Sequence, residues 1–290
     1  MENIKDGEFL PHLSEEDSFA QSVELLFTGN ELLIGKTLNT NAQWLAKRIY
    51  SLGAKVIRMA NVLDNLEEIS DELVYMIKRK PDLIITSGGL GASFDDMTLE
   101  AVAKATDRPL ILNQAILDEI KRVHELLYAR GDAKGNEISE YATKMAYQPK
   151  DSKMLLNPEG GIPGVLLELE EGVKIICLPG VPAELKAMFD QSVSDIISNM
   201  VGDLATAEAR FLVDLIESEM AILIDKVMKT YPSVYIKSNP LSWKDTVRVE
   251  IHLTSRGEKA EHVKETIDKA AEMLKNLVLS TGGEIIVEDI

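Results

Sequence analysis

Residues 86–98 read TSGGLGASFDDMT. Gly88, Gly89 and Gly91 fall within four positions, and two adjacent carboxylates, Asp95 and Asp96, follow them. Amides in a glycine-rich turn and at a helix N-terminus bind anions, whereas aspartates repel them. A divalent ion reconciles the two, because carboxylates hold Mg²⁺, Mn²⁺ or Co²⁺ and the ion bridges to phosphate oxygens. A helix cap would explain one aspartate. It would not explain the second, nor three glycines at the end of a strand. Ser87, Ser93 and Thr98 add hydroxyls to the same turn.

Further acids occupy comparable places. Asn30 and Glu31 follow the apolar run VELLFTG, and Asp64 follows AKVIRMANV. If these runs are parallel strands, their loops open on one sheet edge, where α/β folds place ligand crevices. Glu31, Asp64, Asp95 and Asp96 are therefore the candidate metal ligands. Other patterns fail. G-x-G-x-x-G breaks at Phe94, and GNELLIGKT places five residues between Gly29 and Gly35 where a P-loop requires four. Its bulky residues suit a packed turn. HELLY, 124–128, lacks the second histidine of a zinc-protease helix.

The elements that must position these residues alternate. VELLFTG reads as a strand, and 38–52 as a helix with Leu38, Trp44, Leu45, Ile49 and Leu52 on one face, closed by Gly53. AKVIRMANV reads as a strand, and LEEISDELVYMIKRK as a helix with acid early and base late. PDLIITSGG is apolar enough for a central strand covered on both faces. Asp95 and Asp96 are expected to begin a helix that includes Thr98, and another helix covers about 113–130. Residues 131–164 read as loop with short hairpin strands. VKIICLPG is a buried strand containing Cys177, the single cysteine, and a helix led by Pro182 follows. This rhythm predicts an α/β fold with parallel strands. The texture changes near 200–206. A small β-α-β-β-α domain is predicted over 205–290, after a main domain at 22–204 and an extension at 1–21.

The 290 residues carry a net charge of −17, with 45% hydrophobic and 27% charged residues. Such a chain is globular, and its acidity argues against nucleic-acid or anionic-membrane partners. No apolar run reaches the roughly 18 residues of a membrane span, and the N-terminus lacks a signal-peptide core. A cytoplasmic protein is expected.

SGGLGASFDDMT resembles the signature of the molybdopterin-binding superfamily, the MoaB/MogA-like fold. Its double aspartate is similar to the N-terminal domain of the CinA (competence/damage-inducible) family. TGNELLIGKTLNTNAQWLA, NVLDN, NPEGGIPG and LPGVPAEL match that pattern in order. The resemblance covers residues 23 to about 200, and the following segment is similar to a KH-like domain. It implies a three-layer α/β/α fold around a mostly parallel sheet, frequent homo-oligomerisation and a pocket on the loop edge. The CinA branch implies metal-dependent pyrophosphatase action on ADP-ribose; the MoaB/MogA-like branch implies pterin binding and adenylylation. Asp64 and Asp96 match the acidic pair associated with metal and catalysis, with Asp95 as the extra acid. Asn30, Asn41, Ser87, Gly180 and Glu184 fall in the matching segments as nucleotide-binding candidates. Ala92-Ser93 stands where the family usually has Pro-Thr, and Gly160–Gly164 replaces a Gly-Thr-Ala-Pro-Gly stretch. No counterpart of the C-terminal nicotinamide-nucleotide deamidase domain follows, so that activity is not expected. Residues 207–290 hold 15 acidic against 11 basic residues and lack a G-x-x-G loop. Single-stranded RNA binding is thus disfavoured. The expected function is hydrolysis of a nucleotide pyrophosphate; the alternative is a molybdopterin-binding protein without hydrolase activity.

Overall fold

The computed structural model describes residues 21–202, 204–242, 248–257 and 259–288. The extension expected at 1–21 lies outside them, apart from Gln21. The chain divides into two compact units, with the boundary between Val201 and Gly202.

The larger unit runs β1 (Ser22–Thr28), α1 (Asn30–Leu33), α2 (Thr40–Ser51), β2 (Lys55–Val62), α3 (Leu66–Arg79), β3 (Leu83–Ser87), α4 (Thr98–Ala105), β4 (Leu110–Leu112) and α5 (Gln114–Arg130). It continues with α6 (Glu140–Lys144), β5 (Tyr147–Pro149), β6 (Lys153–Leu155), β7 (Gly164–Glu168), β8 (Lys174–Leu178), α7 (Pro182–Met188) and α8 (Ser194–Val201). The main sheet has the order β2-β1-β3-β8-β7-β6. The first four strands are mutually parallel. β7 and β6 are antiparallel additions beside these four strands, so the sheet is mixed but mostly parallel, as expected.

Period-two alternation along β1 builds two cores. Val23, Leu25 and Phe27 face α2, α7 and α8, packing on Leu45, Ile49, Leu185 and Ile197. Leu26 faces the other way, onto Ile69 and Leu73 of α3 and Val102 of α4. β3 is buried along its whole length, as its apolar run predicts. Cys177 is buried in β8, and burial pushes its thiol up to about 11, so it is a packing residue and not a nucleophile.

Several expected boundaries move. The second helix begins at Thr40 because the Asn39 side chain accepts from the Ala42 N–H; Leu38 stays outside it, 83% exposed. GNELLIGKT is not a packed turn: Asn30–Leu33 forms one helical turn, and Leu33 and Ile34 are exposed. α4 begins at Thr98, so Asp95 and Asp96 lie in the turn before it. Met97 occupies the cap position without a side-chain bond.

The smaller unit runs β9 (Ala205–Val213), α9 (Glu217–Thr230), β10 (Val234–Ser242), β11 (Arg248–Gly257), α10 (Ala260–Ser280) and β12 (Ile285–Glu288). Its antiparallel sheet has the order β10-β11-β9-β12. Met220, Leu223 and Val227 of α9 and Ile267, Leu274 and Val278 of α10 pack on it. The terminal strand β12 adds to the expected β-α-β-β-α pattern. No helix among the described residues is long and apolar enough to cross a membrane.

Candidate functional site

Parallel pairing puts the C-terminal ends of β1, β2, β3 and β8 on one edge, followed by segments carrying Glu31 (in α1), Asp64, Asp95 and Gly180 respectively. At the end of β3 the chain turns through Gly88 (φ 107°) and Gly89 (φ 68°), a backbone that side chains rarely adopt. Space is equally limiting. A Cβ on Gly88 would lie 2.6 Å from the Thr28 carbonyl oxygen, one on Gly89 would overlap Thr98 Oγ1, and one on Gly91 would lie 2.5 Å from Asp96 Oδ2. The glycines are therefore required by the packing of the turn itself.

Two expected ligand donors are already engaged. The Gly88 N–H donates to Leu178 O at 3.1 Å. Thr98 is fully buried, and its hydroxyl donates to Gly88 O at 2.8 Å. In contrast, the successive amides of Gly89, Leu90, Gly91 and Ala92 make no hydrogen bond among the described residues. Consecutive unpartnered N–H groups are what an anion-binding concavity requires.

The acids flank this turn. Asp96 Oδ2 accepts from the Ser93 N–H at 2.8 Å, and the Asp96 N–H donates to Ser93 O at 3.3 Å. Asp64 Oδ2 accepts from the Asn30 N–H at 2.8 Å, while the Asp64 N–H donates to Asn30 Oδ1 at 3.2 Å. Partial burial raises the Asp64 carboxyl above its ordinary value of 3.8; the Asn30 bond opposes this, and the charges of Glu31, Asp95 and Asp96 add to it. Acids from three separate loops thus share one electrostatic field. Among the described residues no three His, Cys, Asp or Glu side chains are grouped so as to hold a metal ion. This all-carboxylate set fits an ion that keeps its waters and shares a ligand's phosphate oxygens, as Mg²⁺ does. It does not fit a closed protein cage.

A carboxyl with a raised folded pKa opposes folding at pH values above its unfolded value, and the penalty disappears as pH falls. Asp64→Asn, which keeps an acceptor for Asn30, is expected to raise the melting temperature slightly at pH 7 and to match wild type near pH 3. Thermal melts across that range check this. A lower melting temperature at pH 7 would contradict a raised Asp64 pKa.

Asn41, in the first turn of α2, is buried. Its Nδ2 donates to Ser87 Oγ (3.2 Å) and Gly180 O (2.9 Å), and Ser87 Oγ donates to Pro179 O (3.3 Å). Asn41 and Ser87 thereby fasten the ends of β3 and β8 together. Asn41 Oδ1 and, beside the glycine turn, Thr28 Oγ1 are buried without a partner; such groups ordinarily meet water or ligand. Glu184 Oε2 accepts from Asn157 Nδ2 at 2.8 Å. Asn157 Oδ1 in turn accepts the Glu159 and Gly160 amides, at 3.1 and 3.0 Å. Glu184 therefore steadies the NPEGGIPG loop. Sequence reasoning missed Asn157 and Lys144. Asn-Pro-Glu-Gly carries a turn signal that would have found the first; a lysine within apparent loop offers none.

A family model described as a probable molybdopterin binding domain matches residues 24–199. The chain belongs to this molybdopterin-binding family. A protein of Aeropyrum pernix is 35% identical over 269 residues, spanning 91% of this chain and 96% of its own length. A Pyrococcus furiosus protein is 34% identical, spanning 87% and 95%. Among solved structures, a CinA protein of unknown function from Thermoplasma acidophilum is 33% identical with a TM-score of 0.54, covering 60% of this chain and 98% of that one. The molybdopterin-binding family match lies within the larger unit, which carries the glycine turn and the acids.

Proposed function

We propose that the Gln21–Val201 unit binds a molybdopterin-type ligand, a pterin bearing a phosphate, on the loop edge of its parallel strands. The row of unengaged amides at Gly89–Ala92, in a chain of this family, carries the reading. The amides receive the phosphate, Ser93 offers a hydroxyl beside them, the Thr28 hydroxyl can donate or accept, and Asn41 Oδ1 offers an acceptor that a phosphate cannot use but a pterin N–H can. Titrating purified protein with molybdopterin, followed by ligand fluorescence, tests it. Saturable one-to-one binding is expected, and its absence would remove the proposal.

A second reading is favoured by the placement of Glu31, Asp64 and Asp95–Asp96 after neighbouring parallel strands: metal-dependent hydrolysis of a nucleotide pyrophosphate such as ADP-ribose. Here the phosphates would supply the direct ligation of a divalent ion that the side chains do not gather by themselves, and Asp64 and Asp96, with Asp95 or Glu31, would hold it through its waters. The ion supplies charge neutralisation and an acidified water. AMP release from ADP-ribose with Mg²⁺, Mn²⁺ or Co²⁺ is then expected, and equal turnover by Asp96→Ala would eliminate this site. The smaller unit is assigned to packing or homo-oligomer assembly and not to nucleic acid, consistent with its acidic excess.

A further inference from the structure

We propose that Lys144 is a positioning residue for this site: its ammonium fixes the Ser93–Asp96 turn and thereby presents the turn's amides to an anionic ligand. The inference rests on the ligand-binding reading of that turn. Lys144 Nζ donates to Ser93 O at 3.1 Å and to Asp96 O at 2.8 Å, reaching 51 and 48 residues back along the chain. These are the carbonyls that open and close the turn whose other bonds join Ser93 and Asp96 to each other.

Holding these carbonyls has a directional effect. In a planar trans peptide the N–H points opposite the C=O. Drawing Ser93 O toward Lys144 therefore turns the Phe94 N–H to the far side, where it has no partner among the described residues. Lys144 also brings a positive charge to a turn that carries two carboxylates, so that the loop is not left to repel an incoming phosphate unaided. Its base is firm. Lys144 ends α6, and Ala142, Met145 and Ala146 beside it pack on Ile116, Leu117 and Ile120 of α5. Hydrogen bonds from a charged donor are about twice as strong as neutral ones, so two of them on one turn can hold it against thermal opening.

The test compares wild type, Lys144→Met and Lys144→Arg by two measurements. The first is hydrogen exchange of the Ser93 and Asp96 amides in ligand-free protein; the second is the Kd for molybdopterin. Lys144→Met is expected to speed both exchange rates and to raise Kd about tenfold. Lys144→Arg should restore most of each, which a purely structural role would not require. Unchanged exchange in Lys144→Met overturns the proposal, as does faster exchange with unchanged Kd. If wild type binds no molybdopterin, the ligand reading fails separately, and the exchange rates still decide whether Lys144 holds the turn. Should Lys144→Met not fold, Lys144→Gln takes its place in the same comparison.

Discussion

Arg79→Met is expected to destabilise the larger unit by about 3–5 kcal/mol, read from its urea unfolding curve. Glu24 of β1 is completely buried, on the same face of the sheet as Leu26. Its carboxylate receives Arg79 Nε at 2.8 Å and Nη2 at 2.6 Å, a paired fork from the last turn of α3. Arg79 also reaches Glu72 at 3.1 Å. The Glu24 bond, reinforced by Glu72, holds the guanidinium charged well above its ordinary range. Removing it strands a carboxylate among apolar neighbours. The double replacement Glu24→Leu with Arg79→Met should recover most of the loss, because a well-packed apolar pair is often as stable as a buried ion pair. An unchanged urea midpoint in the single variant would show that the pair contributes nothing.

Gly89→Val is expected to weaken molybdopterin binding about a hundredfold while the sheet persists. The φ of 68° costs an L-residue about 1–2 kcal/mol. The added side chain would also overlap Thr98 Oγ1 and come within 3.1 Å of Thr28 Oγ1, an overpacking of about 1–3 kcal/mol. The turn has to open instead. Thr98 is bonded to both Gly88 O and Gly89 O, so the start of α4 moves with it. Circular dichroism confirms the retained fold, and ligand fluorescence gives Kd. Wild-type affinity in this variant would show that the Gly89–Ala92 amides take no part.

Much of the scaffold is legible in the chain because burial leaves a pattern. LIITS reads as a doubly covered strand and proves to be one, and the acid-to-base gradient of LEEISDELVYMIKRK marks a real helix. What misleads is local rivalry between residues with similar talents. Asn39 displaces Leu38 as the start of α2 by capping it. The helix start expected at Asp95 and Asp96 falls at Thr98, with Asp96 bound back to Ser93 in the turn before it. β12 escapes notice because it follows a glycine pair and is short. For the site, topology alone suffices to bring Asp64 near Asp95 and Asp96. It cannot reveal that Gly88 and Thr98 turn inward, nor that Lys144 reaches back across the chain. Those depend on tertiary contacts between distant segments.

β9 is flanked by β11 on one side and β12 on the other. A shortened version of this protein ending before Ile285 would bare the backbone of Phe211–Val213 in β9. Bare strands recruit partners, so loss of β12 would favour clumping at high concentration even with the helices and the main sheet untouched.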